Sequence, residues 1–467
     1  MNINKTRRPT PRQLGKQLER SLGGAPVTVQ NEVYLNNTPS MVQAIPEYAP
    51  MGGVVISYPG THPRSREHIQ LPPNGPRAFG VPNELIIRLQ QLENPEPVQI
   101  FIFCADANMY APVLENLQAT AKDMKLPFNP ELVHFIPWDT DTYWTRDYCP
   151  WWFQYQSASQ VKNGSSRFGI AKHTYTTLGG GSVGLVEGGE HVDPMEGAGI
   201  FRPNDDYGAV KLSDFLNKPI RQWNKAIWHG QDPLPRIEPH DWFNLGLLDV
   251  GGNYMVAGST LASSYLVATQ NELPTPREKQ ETKPDAKELS ARMHYVLEEM
   301  NRFLGIDRYM VLVDPEETYI GHIDCWGKFL SDDKVLIAQS QDSKINKHLD
   351  KIAHFFETNG FTPFRVMCQN IYVPQAGGQA ATTAAYTNSL ILNNQVYVPA
   401  AGGVYHEYDE KARVVYEKAM GPEYKIHLIE GKRDFPWLGT DALHCRTRGI
   451  PRTVVNDWLR AKRQPNP

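Results

Sequence analysis

Residues 285–338 contain the stretch that decides the fold, and they read DAKELSARMHYVLEEMNRFLGIDRYMVLVDPEETYIGHIDCWGKFLSDDKVLIA. Apolar residues recur every three or four positions at the start and follow an acidic pair with capping-box spacing, which predicts a helix over 286–304. A strand over Tyr309–Asp314 follows, then a polar loop that holds His322, then a strand over Val335–Ala338. This order of helix, strand, loop and strand is the unit from which we read the fold.

The same unit recurs along the chain. Helices are predicted over 111–124, 347–358 and 409–419, and strands and a polar loop follow each of them. A Gly-Gly-Asn segment at 251–253 fits a further unit. Because unusual polar residues lie at the same place in each unit, the pattern predicts an α/β ring of ββαβ blades around one axial site.

The chain has 467 residues, of which 40% are hydrophobic and 21% are charged, so it can form a sizeable core. The repeat reduces the two to four domains that this length allows to one catalytic domain, predicted over 46–455. A polar, glycine-rich insertion is predicted at 155–199 within it. A basic polar arm over 1–45 and a basic tail over 456–467 are predicted to flank it.

Charge is distributed unevenly. Residues 1–20 and 446–463 each carry six basic residues and one acid, so the rest has 35 basic and 49 acidic residues, a net charge of −14. An acidic body disfavours nucleic acid as a partner and suits a cationic substrate. Ordinary solubility would explain the same balance.

Five cysteines are an odd number, and no two of them have CxxC spacing, which argues against a disulfide scaffold and a zinc ribbon. At least one thiol is therefore expected to be free. No apolar stretch reaches the length of a membrane helix, and no apolar segment of a signal peptide follows the basic N-terminus. We therefore expect a cytoplasmic protein with no membrane partner.

His322 and Asp324 stand two residues apart in a polar cluster. On a strand both would project to the same side and face one pocket. A carboxylate beside a buried histidine raises the pKa of the histidine and orients it, as general acid/base catalysis requires. A hydrogen-bonded strand pair, or half of a metal site, would explain the same two residues.

Asp147 follows Arg146 and is close in sequence to Trp144. A carboxylate can hold the N–H groups of a planar cation while an aromatic ring covers the face of that cation. An Arg146–Asp147 ion pair at the surface is the competing interpretation.

Cys445 lies in a Gly/Thr-rich segment near the end of the chain. A nucleophilic thiol needs an adjacent base or a lowered pKa. In an extended segment His444 would point away from Cys445, which leaves His322 as the expected partner. With Asp147 and Asp324, these groups suit attack on a guanidinium carbon, since the carboxylates hold the cation and the histidine protonates the departing ammonia.

Four segments resemble the Porphyromonas-type peptidylarginine deiminases of the agmatine deiminase superfamily. They are WTRDY at 144–148, HIDCWGK at 322–328, YTNSLILNNQVYVP at 386–399 and PWLGTDALHCRT at 436–447. The resemblance implies a five-bladed pseudo-symmetric ββαβ propeller, the pentein fold. It also implies hydrolysis of arginine in a peptide or protein to citrulline and ammonia, with no cofactor or metal in the chemistry.

The resemblance implies a role for each matched residue. Cys445 would be the nucleophile, His322 the acid/base, and Asp147 and Asp324 the guanidinium-binding carboxylates. Asn388 resembles the asparagine that organises the substrate and the thiolate. Further substrate contacts are implied for a pocket-wall tryptophan and two channel-lining residues, namely Trp144, Tyr319 and Ile320.

One segment departs from the family pattern. Relatives can bind a C-terminal arginine through an Arg-x-Arg clamp in a segment that reads RPRPNDD, where this chain has Ile200-Phe201-Arg202-Pro203. Arg202 matches the second arginine of the clamp, and Ile200 replaces the first. We therefore do not expect a strict preference for C-terminal arginine, and internal arginine or a small free guanidine fits as well.

Other functions stay open. A deiminase of agmatine or another small guanidine would use the same chemistry, although agmatine enzymes usually carry a GGGNIHC-type turn where this chain has GTDALHC. An amidinotransferase would pass the same covalent intermediate to an amine. A non-catalytic protein on this fold is disfavoured because the five motif residues are all present, namely Asp147, His322, Asp324, Asn388 and Cys445. A metal site at His322 and Asp324 is also disfavoured, because no other residues have the spacing of metal ligands.

Overall fold

The computed structural model describes residues 27–30, 42–58, 80–91, 97–156, 167–174, 203–228, 237–248, 251–264, 268–269, 286–312, 315, 322–375, 378–431 and 441–463. These residues form both strands and helices. The strands are β1 (Val27–Gln30), β2 (Val42–Ala44), β3 (Met51–Ser57), β4 (Gln99–Phe103), β5 (Val133–Ile136), β6 (Trp151–Tyr155), β7 (Arg167–Thr174), β8 (Trp242–Leu248), β9 (Tyr254–Ala257), β10 (Thr260–Ser263), β11 (Ala268–Thr269), β12 (Arg308–Val311), β13 (Gly327–Phe329), β14 (Lys334–Gln339), β15 (Thr362–Met367), β16 (Asn370–Gln375), β17 (Gly378–Thr383), β18 (Leu390–Leu392), β19 (Gln395–Ala400), β20 (Lys425–Glu430) and β21 (Arg448–Pro451). The helices are α1 (Asn83–Leu89), α2 (Tyr110–Asp123), α3 (Thr145–Tyr148), α4 (Pro203–Asp206), α5 (Gly208–Trp228), α6 (Ala286–Leu304), α7 (Ser343–Thr358), α8 (His406–Met420) and α9 (Arg452–Arg463).

One unit occurs five times in the described part of the chain. Two antiparallel strands come first, and a helix then leads into a third strand that runs parallel to the second. The units are β21–β3–α1–β4, β6–β7–α5–β8, β9–β10–α6–β12, β13–β14–α7–β15 and β18–β19–α8–β20. The predicted α/β fold is therefore confirmed, and the sheets formed by the described residues are open.

Helix α7 illustrates how the sequence determines a unit. Asp342 precedes the helix, and its side chain accepts hydrogen bonds from the backbone N–H groups of Lys344 and Ile345, which would otherwise lack partners. The face of α7 that packs on its sheet contains four buried residues at helical spacing, Leu349, Ile352, Ala353 and Phe356. Burial of this stripe fixes the helix over the parallel pair of strands.

The last strand of the described chain, β21, lies in the same sheet as the early strand β3. β21 pairs antiparallel with β3, so that Arg448 lies opposite Val55. Helix α9 follows β21 directly and packs beside it, with Trp458 buried 5.2 Å from the ring of Phe101. Most of the predicted basic tail is therefore helical and partly buried. At the other end, β1 and β2 form within the predicted arm and pair with β12 and β6.

The predicted insertion at 155–199 contains β7, which pairs with β6 and β8. Residues 157–166 and 175–199 of it lie outside the described ranges.

Among the described residues, no helix combines the length and the apolar character that crossing a bilayer would require.

Each unit begins with a tight turn, and these turns position the candidate site. Helix α3 precedes β6, and two single-turn 3-10 helices precede β9 and β13. Bends precede β18 and β21. The polar residues in these five turns include Asp147, Asn253, Asp324, Asn388 and Cys445.

Candidate active site

The turn that carries Cys445 is held by Asn388. The Asn388 Oδ1 atom accepts hydrogen bonds from the backbone N–H groups of Ala442 and Cys445, at 3.0 and 3.1 Å. The backbone N–H of His444 donates to the carbonyl of Asn388 at 3.0 Å. The Asn388 Nδ2 atom lies 3.0 Å from Cys445 Sγ, so one amide both shapes the turn and contacts the sulfur.

Asp324 contacts the same sulfur from another element. Its Oδ2 atom is 3.3 Å from Cys445 Sγ. His322 and Asp324 do not lie on a strand, since Ile323–Cys325 form a 3-10 turn closed by hydrogen bonds from the backbone N–H groups of Cys325 and Trp326 to the carbonyls of His322 and Ile323. The turn still brings the two side chains together, with His322 Nδ1 4.0 Å from Asp324 Oδ1.

Asp147 completes this group from helix α3. Its Oδ1 atom lies 3.9 Å from His322 Nδ1 and accepts a hydrogen bond from the backbone N–H of Gly252 at 3.1 Å. A Cβ atom at Gly252 would lie 2.4 Å from His322 Nδ1, so only glycine permits this close approach. Cys445, Asp324, His322, Asp147 and Asn388 are all buried. The structure thus brings the five motif residues into one buried, acidic site.

The charge in this site disfavours a thiolate. Burial raises the pKa of the Cys445 thiol well above its usual range, and the carboxylates of Asp324, Asp441 and Asp147 raise it further. Burial also acts to raise the pKa of the Asp324 carboxyl, but hydrogen bonding and positive charge from His444 and His322 hold it below its usual value. The site is therefore suited to a cation, which would reverse the electrostatic cost of ionising the sulfur.

Trp144 is half-buried at the start of α3. Its Nε1 atom donates to Asp441 Oδ2 at 2.8 Å, and Arg446 Nη2 pairs with the same carboxylate oxygen at 2.8 Å. The charge of Asp441 also raises the pKa of the Cys445 thiol. These contacts place the indole beside the turn that carries Cys445.

The competing interpretation of Arg146 as a surface partner of Asp147 is wrong. Arg146 is buried, its backbone N–H donates to the carbonyl of Cys445 at 3.0 Å, and its Nε atom donates to the carbonyl of His444 at 3.1 Å. Its Nη2 atom lies 3.5 Å from Glu47 Oε2. Arg146 therefore fastens the turn that carries the thiol.

His444 also differs from the prediction. Residues 443–446 form a turn rather than an extended segment, so His444 does not point away from the site. Its Nδ1 atom is 2.7 Å from Asp324 Oδ2, and its Nε2 atom is 2.6 Å from Glu47 Oε2. Sequence reasoning missed Glu47 and Lys328, whose Nζ atom lies 3.0 Å from Glu47 Oε1. Lys328 closes the HIDCWGK motif, which was a signal, whereas Glu47 lies in no motif.

Other candidates contribute less. Cys104, Cys149, Cys325 and Cys368 are buried and form no disulfide. The described residues contain no group of three or more His, Cys, Asp or Glu side chains arranged to hold a metal ion. Three predicted substrate contacts, Arg202, Tyr319 and Ile320, lie outside the described ranges.

Comparisons with known proteins bear on the family and the fold. A model of the Porphyromonas-type peptidyl-arginine deiminase family matches residues 285–451, which include His322, Asp324, Asn388 and Cys445. An agmatine deiminase from C. jejuni is similar in structure, with a TM-score of 0.52, 15% identity and coverage of 90% of this chain and 98% of that one.

Two further solved structures show the same fold. An agmatine deiminase of Enterococcus faecalis has a TM-score of 0.55 and 15% identity, and the match covers 88% of this chain and 96% of that one. A putative arginine deiminase from Porphyromonas gingivalis has a TM-score of 0.52 and 15% identity, covering 88% of this chain and 98% of that one. Residues 285–451 therefore resemble the Porphyromonas-type peptidyl-arginine deiminase family, and the described fold is that of the solved deiminase structures.

Proposed function

We propose that the chain is a peptidylarginine deiminase, which hydrolyses the guanidinium group of arginine in peptides or proteins to citrulline and ammonia. The observation that carries this proposal is the convergence of a thiol, a histidine and two carboxylates in one buried site. A peptide substrate is supported by the family whose model matches residues 285–451.

In this proposal the carboxylates bind the substrate. Asp147 and Asp324 accept hydrogen bonds from the guanidinium N–H groups, and the Trp144 ring forms a wall of the pocket. Both carboxylates come from turns that backbone hydrogen bonds hold in place. Preorganised acceptors fix the guanidinium carbon near the sulfur without an entropic cost at the moment of reaction.

The first half of the reaction forms a covalent intermediate. The bound cation lowers the pKa of the Cys445 thiol, whose proton passes to His322. The thiolate then adds to the guanidinium carbon and forms a C–S bond. His322 returns the proton to one nitrogen, the C–N bond breaks, and ammonia leaves a thiouronium group on Cys445.

The second half releases the product. His322 accepts a proton from a water molecule as the oxygen adds to the same carbon. The C–S bond breaks and Cys445 leaves as a thiolate, which takes up the proton of the added hydroxyl group as the urea group of citrulline forms. His322 then gives the proton from water to the solvent. The same histidine acts as acid and then as base, and the side chains of this chain supply every catalytic group without a cofactor or metal.

The five units support a finer description of the fold. We propose that they form the five blades of a ββαβ propeller around the site, because the turn that opens each unit carries one of the polar residues described above. Pseudo-symmetry would then explain why residues so distant in sequence converge.

A small-guanidine deiminase is the second candidate, since the solved structures of similar fold include agmatine deiminases. The test measures release of ammonia from agmatine, free arginine, a peptide with internal arginine and a peptide ending in arginine. We expect turnover of the internal-arginine peptide, with citrulline as the product. Turnover of agmatine alone would overturn the peptide assignment.

The Cys445→Ala variant tests the mechanism in the same assay. It is expected to abolish ammonia release from every substrate, since no other group on this path can form the covalent bond. Ammonia release that survives in Cys445→Ala at the rate of the unaltered enzyme would contradict the proposed mechanism.

A further inference from the structure

His444 lies between two buried carboxylates. Its Nδ1 atom is 2.7 Å from Asp324 Oδ2, and its Nε2 atom is 2.6 Å from Glu47 Oε2. Each of these short nitrogen–oxygen contacts requires one proton between its two atoms. Three side chains therefore share two protons and carry a net charge of −1, wherever the protons reside.

Glu47 is a firm anchor for this arrangement. Both of its carboxylate oxygens lie 3.0 Å from Lys328 Nζ, and Oε1 accepts a hydrogen bond from the backbone N–H of Ile391 at 2.9 Å. Burial acts to raise the pKa of Glu47, but His444, Lys328 and Arg146 hold it well below its usual range. The carboxylate is thus charged and fixed on several sides.

On its other side, His444 is linked to the Cys445 sulfur through one oxygen atom of Asp324. Asp324 Oδ2 is 2.7 Å from His444 Nδ1 and also 3.3 Å from Cys445 Sγ. The charge and direction of that oxygen decide how strongly it holds the thiol proton. Arg146 fixes the backbone carbonyls of His444 and Cys445 independently, so the imidazole is not needed merely to shape the turn.

We propose that His444 is a positioning residue that Glu47 holds in place, and that its Nδ1–H group fixes Asp324 Oδ2 and balances its charge beside the Cys445 thiol. The function of this arrangement in turnover rests on the proposed deiminase activity, in which Cys445 is the nucleophile. Its effect on the thiol does not depend on which substrate is used.

Two substitutions distinguish the two hydrogen bonds of His444, because each variant keeps one of them and loses the other. In His444→Asn the amide nitrogen can occupy the position of Nδ1 and keep the hydrogen bond to Asp324. In His444→Gln the amide nitrogen can instead reach the position of Nε2 and keep the hydrogen bond to Glu47. A role limited to filling space or anchoring Glu47 predicts that the Gln variant is the milder of the two.

The measurement is the pH dependence of Cys445 alkylation by iodoacetamide, with the modified peptide quantified by mass spectrometry. We expect His444→Gln to move the midpoint upward by about one to two pH units, as loss of one charge-assisted hydrogen bond would. His444→Asn should move the midpoint less, because Asp324 keeps a donor. Equal midpoints in the Gln variant and the unaltered enzyme, or a larger shift in the Asn variant, would overturn the proposal.

Two further variants keep the test decisive. His134→Gln is the matched control, because His134 is also buried and its Nε2 atom lies 2.7 Å from Gln99 Oε1, away from the site. It should leave the Cys445 midpoint unchanged. If His444→Gln does not fold, Glu47→Gln is measured instead. It should raise the midpoint of Cys445 alkylation, because His444 loses the charged carboxylate that holds it in place. An unchanged midpoint in folded Glu47→Gln would count against the proposal.

Failure of this inference is distinguishable from failure of the proposed function. Ammonia release from guanidines tests the function in the unaltered enzyme, whereas alkylation reads the thiol without any substrate. An enzyme that turns over arginine peptides, yet shows the same alkylation profile in His444→Gln, refutes only the positioning role.

Discussion

At the residue scale, the site presents an apparent contradiction. A nucleophile should ionise readily, yet burial and neighbouring acids raise the pKa of Cys445 well above its usual range. The same carboxylates are those that a guanidinium group would neutralise. In the proposed mechanism a bound cation would provide the positive charge that the resting site lacks, and the Cys445 thiol would stay unreactive until a substrate binds.

We therefore expect the pKa of the Cys445 thiol to depend on whether a cationic ligand is bound. Without ligand, alkylation of Cys445 by iodoacetamide should keep rising as the pH is raised beyond 9, since the raised pKa keeps the thiol protonated below it. A non-reactive guanidinium ligand should move the midpoint to lower pH, because it favours the charged form. Alkylation reactions quenched after a fixed time, across a range of pH, give the midpoint with the ligand and the midpoint without it. A midpoint below 8 in the free enzyme would contradict this account.

A second prediction concerns Asp147. Asp147→Asn keeps the shape of the side chain but removes the negative charge, and charged hydrogen bonds contribute about 1.5–3 kcal/mol each. We expect kcat/KM for a guanidinium substrate to fall roughly 10- to 150-fold. Asp342→Asn is the control, because asparagine caps a helix as well as aspartate does and Asp342 only caps α7. Similar losses in both variants would argue against a binding role for Asp147.

The motif residues could be predicted from the sequence because each has unusual chemistry at a repeated place. Glu47 could not, since a single acid in a proline-containing segment has no pattern until folding brings Lys328 and His444 to it. The position of His444 was mispredicted for a related reason. Its direction depends on the turn that Asn388 imposes from a distant segment, and local sequence does not encode that contact.

At the element scale, long helices and their following strands follow from hydrophobic periodicity, as α6 and α7 show. The turns that open the units do not, because they are short and are held by contacts between units. The Gly251–Asn253 turn is an example. A Cβ atom at Gly251 would lie 1.9 Å from the carbonyl oxygen of Arg146, so only glycine lets this turn pack against helix α3.

The tight packing of this turn predicts a strong effect of one methyl group. In Gly252→Ala the added Cβ would lie 2.4 Å from His322 Nδ1 and 2.9 Å from Asp147 Oδ1, so both side chains must move. A displacement near 1 Å in a site of this kind costs roughly 100-fold in rate. Gly327→Ala is the matched control, since its nearest neighbours lie at ordinary contact distances of 3.5 Å or more. Steady-state assays of the two folded variants should differ, and equal activity would contradict the packing argument.

At the scale of the whole molecule, the turn that carries Cys445 depends on closure between the C-terminal segment and the sheet that contains β3. β21 follows the Cys445 turn and pairs with β3, and α9 packs behind that pair. A Cβ atom at Gly52 in β3 would lie 3.0 Å from the backbone of Arg452, which shows how closely α9 approaches. The basic charge near the C-terminus suggested a tail, because charge composition does not reveal the buried stripe of Val454, Val455 and Trp458.

This closure predicts that a change in α9 weakens the entire fold. Trp458 is 1% exposed and its ring lies 4.7 Å from that of His134, so Trp458→Ala would leave a large cavity between α9 and the N-terminal sheet. The expected cost is about 3–5 kcal/mol of unfolding free energy. Trp242→Ala is the control, because Trp242 is 42% exposed and should cost little. Urea unfolding followed by circular dichroism measures both, and activity measured along the same titration should disappear with the fold. If α9 were a dispensable tail, removal of the Trp458 side chain would not weaken the fold. The two tryptophan variants would then unfold at the same urea concentration.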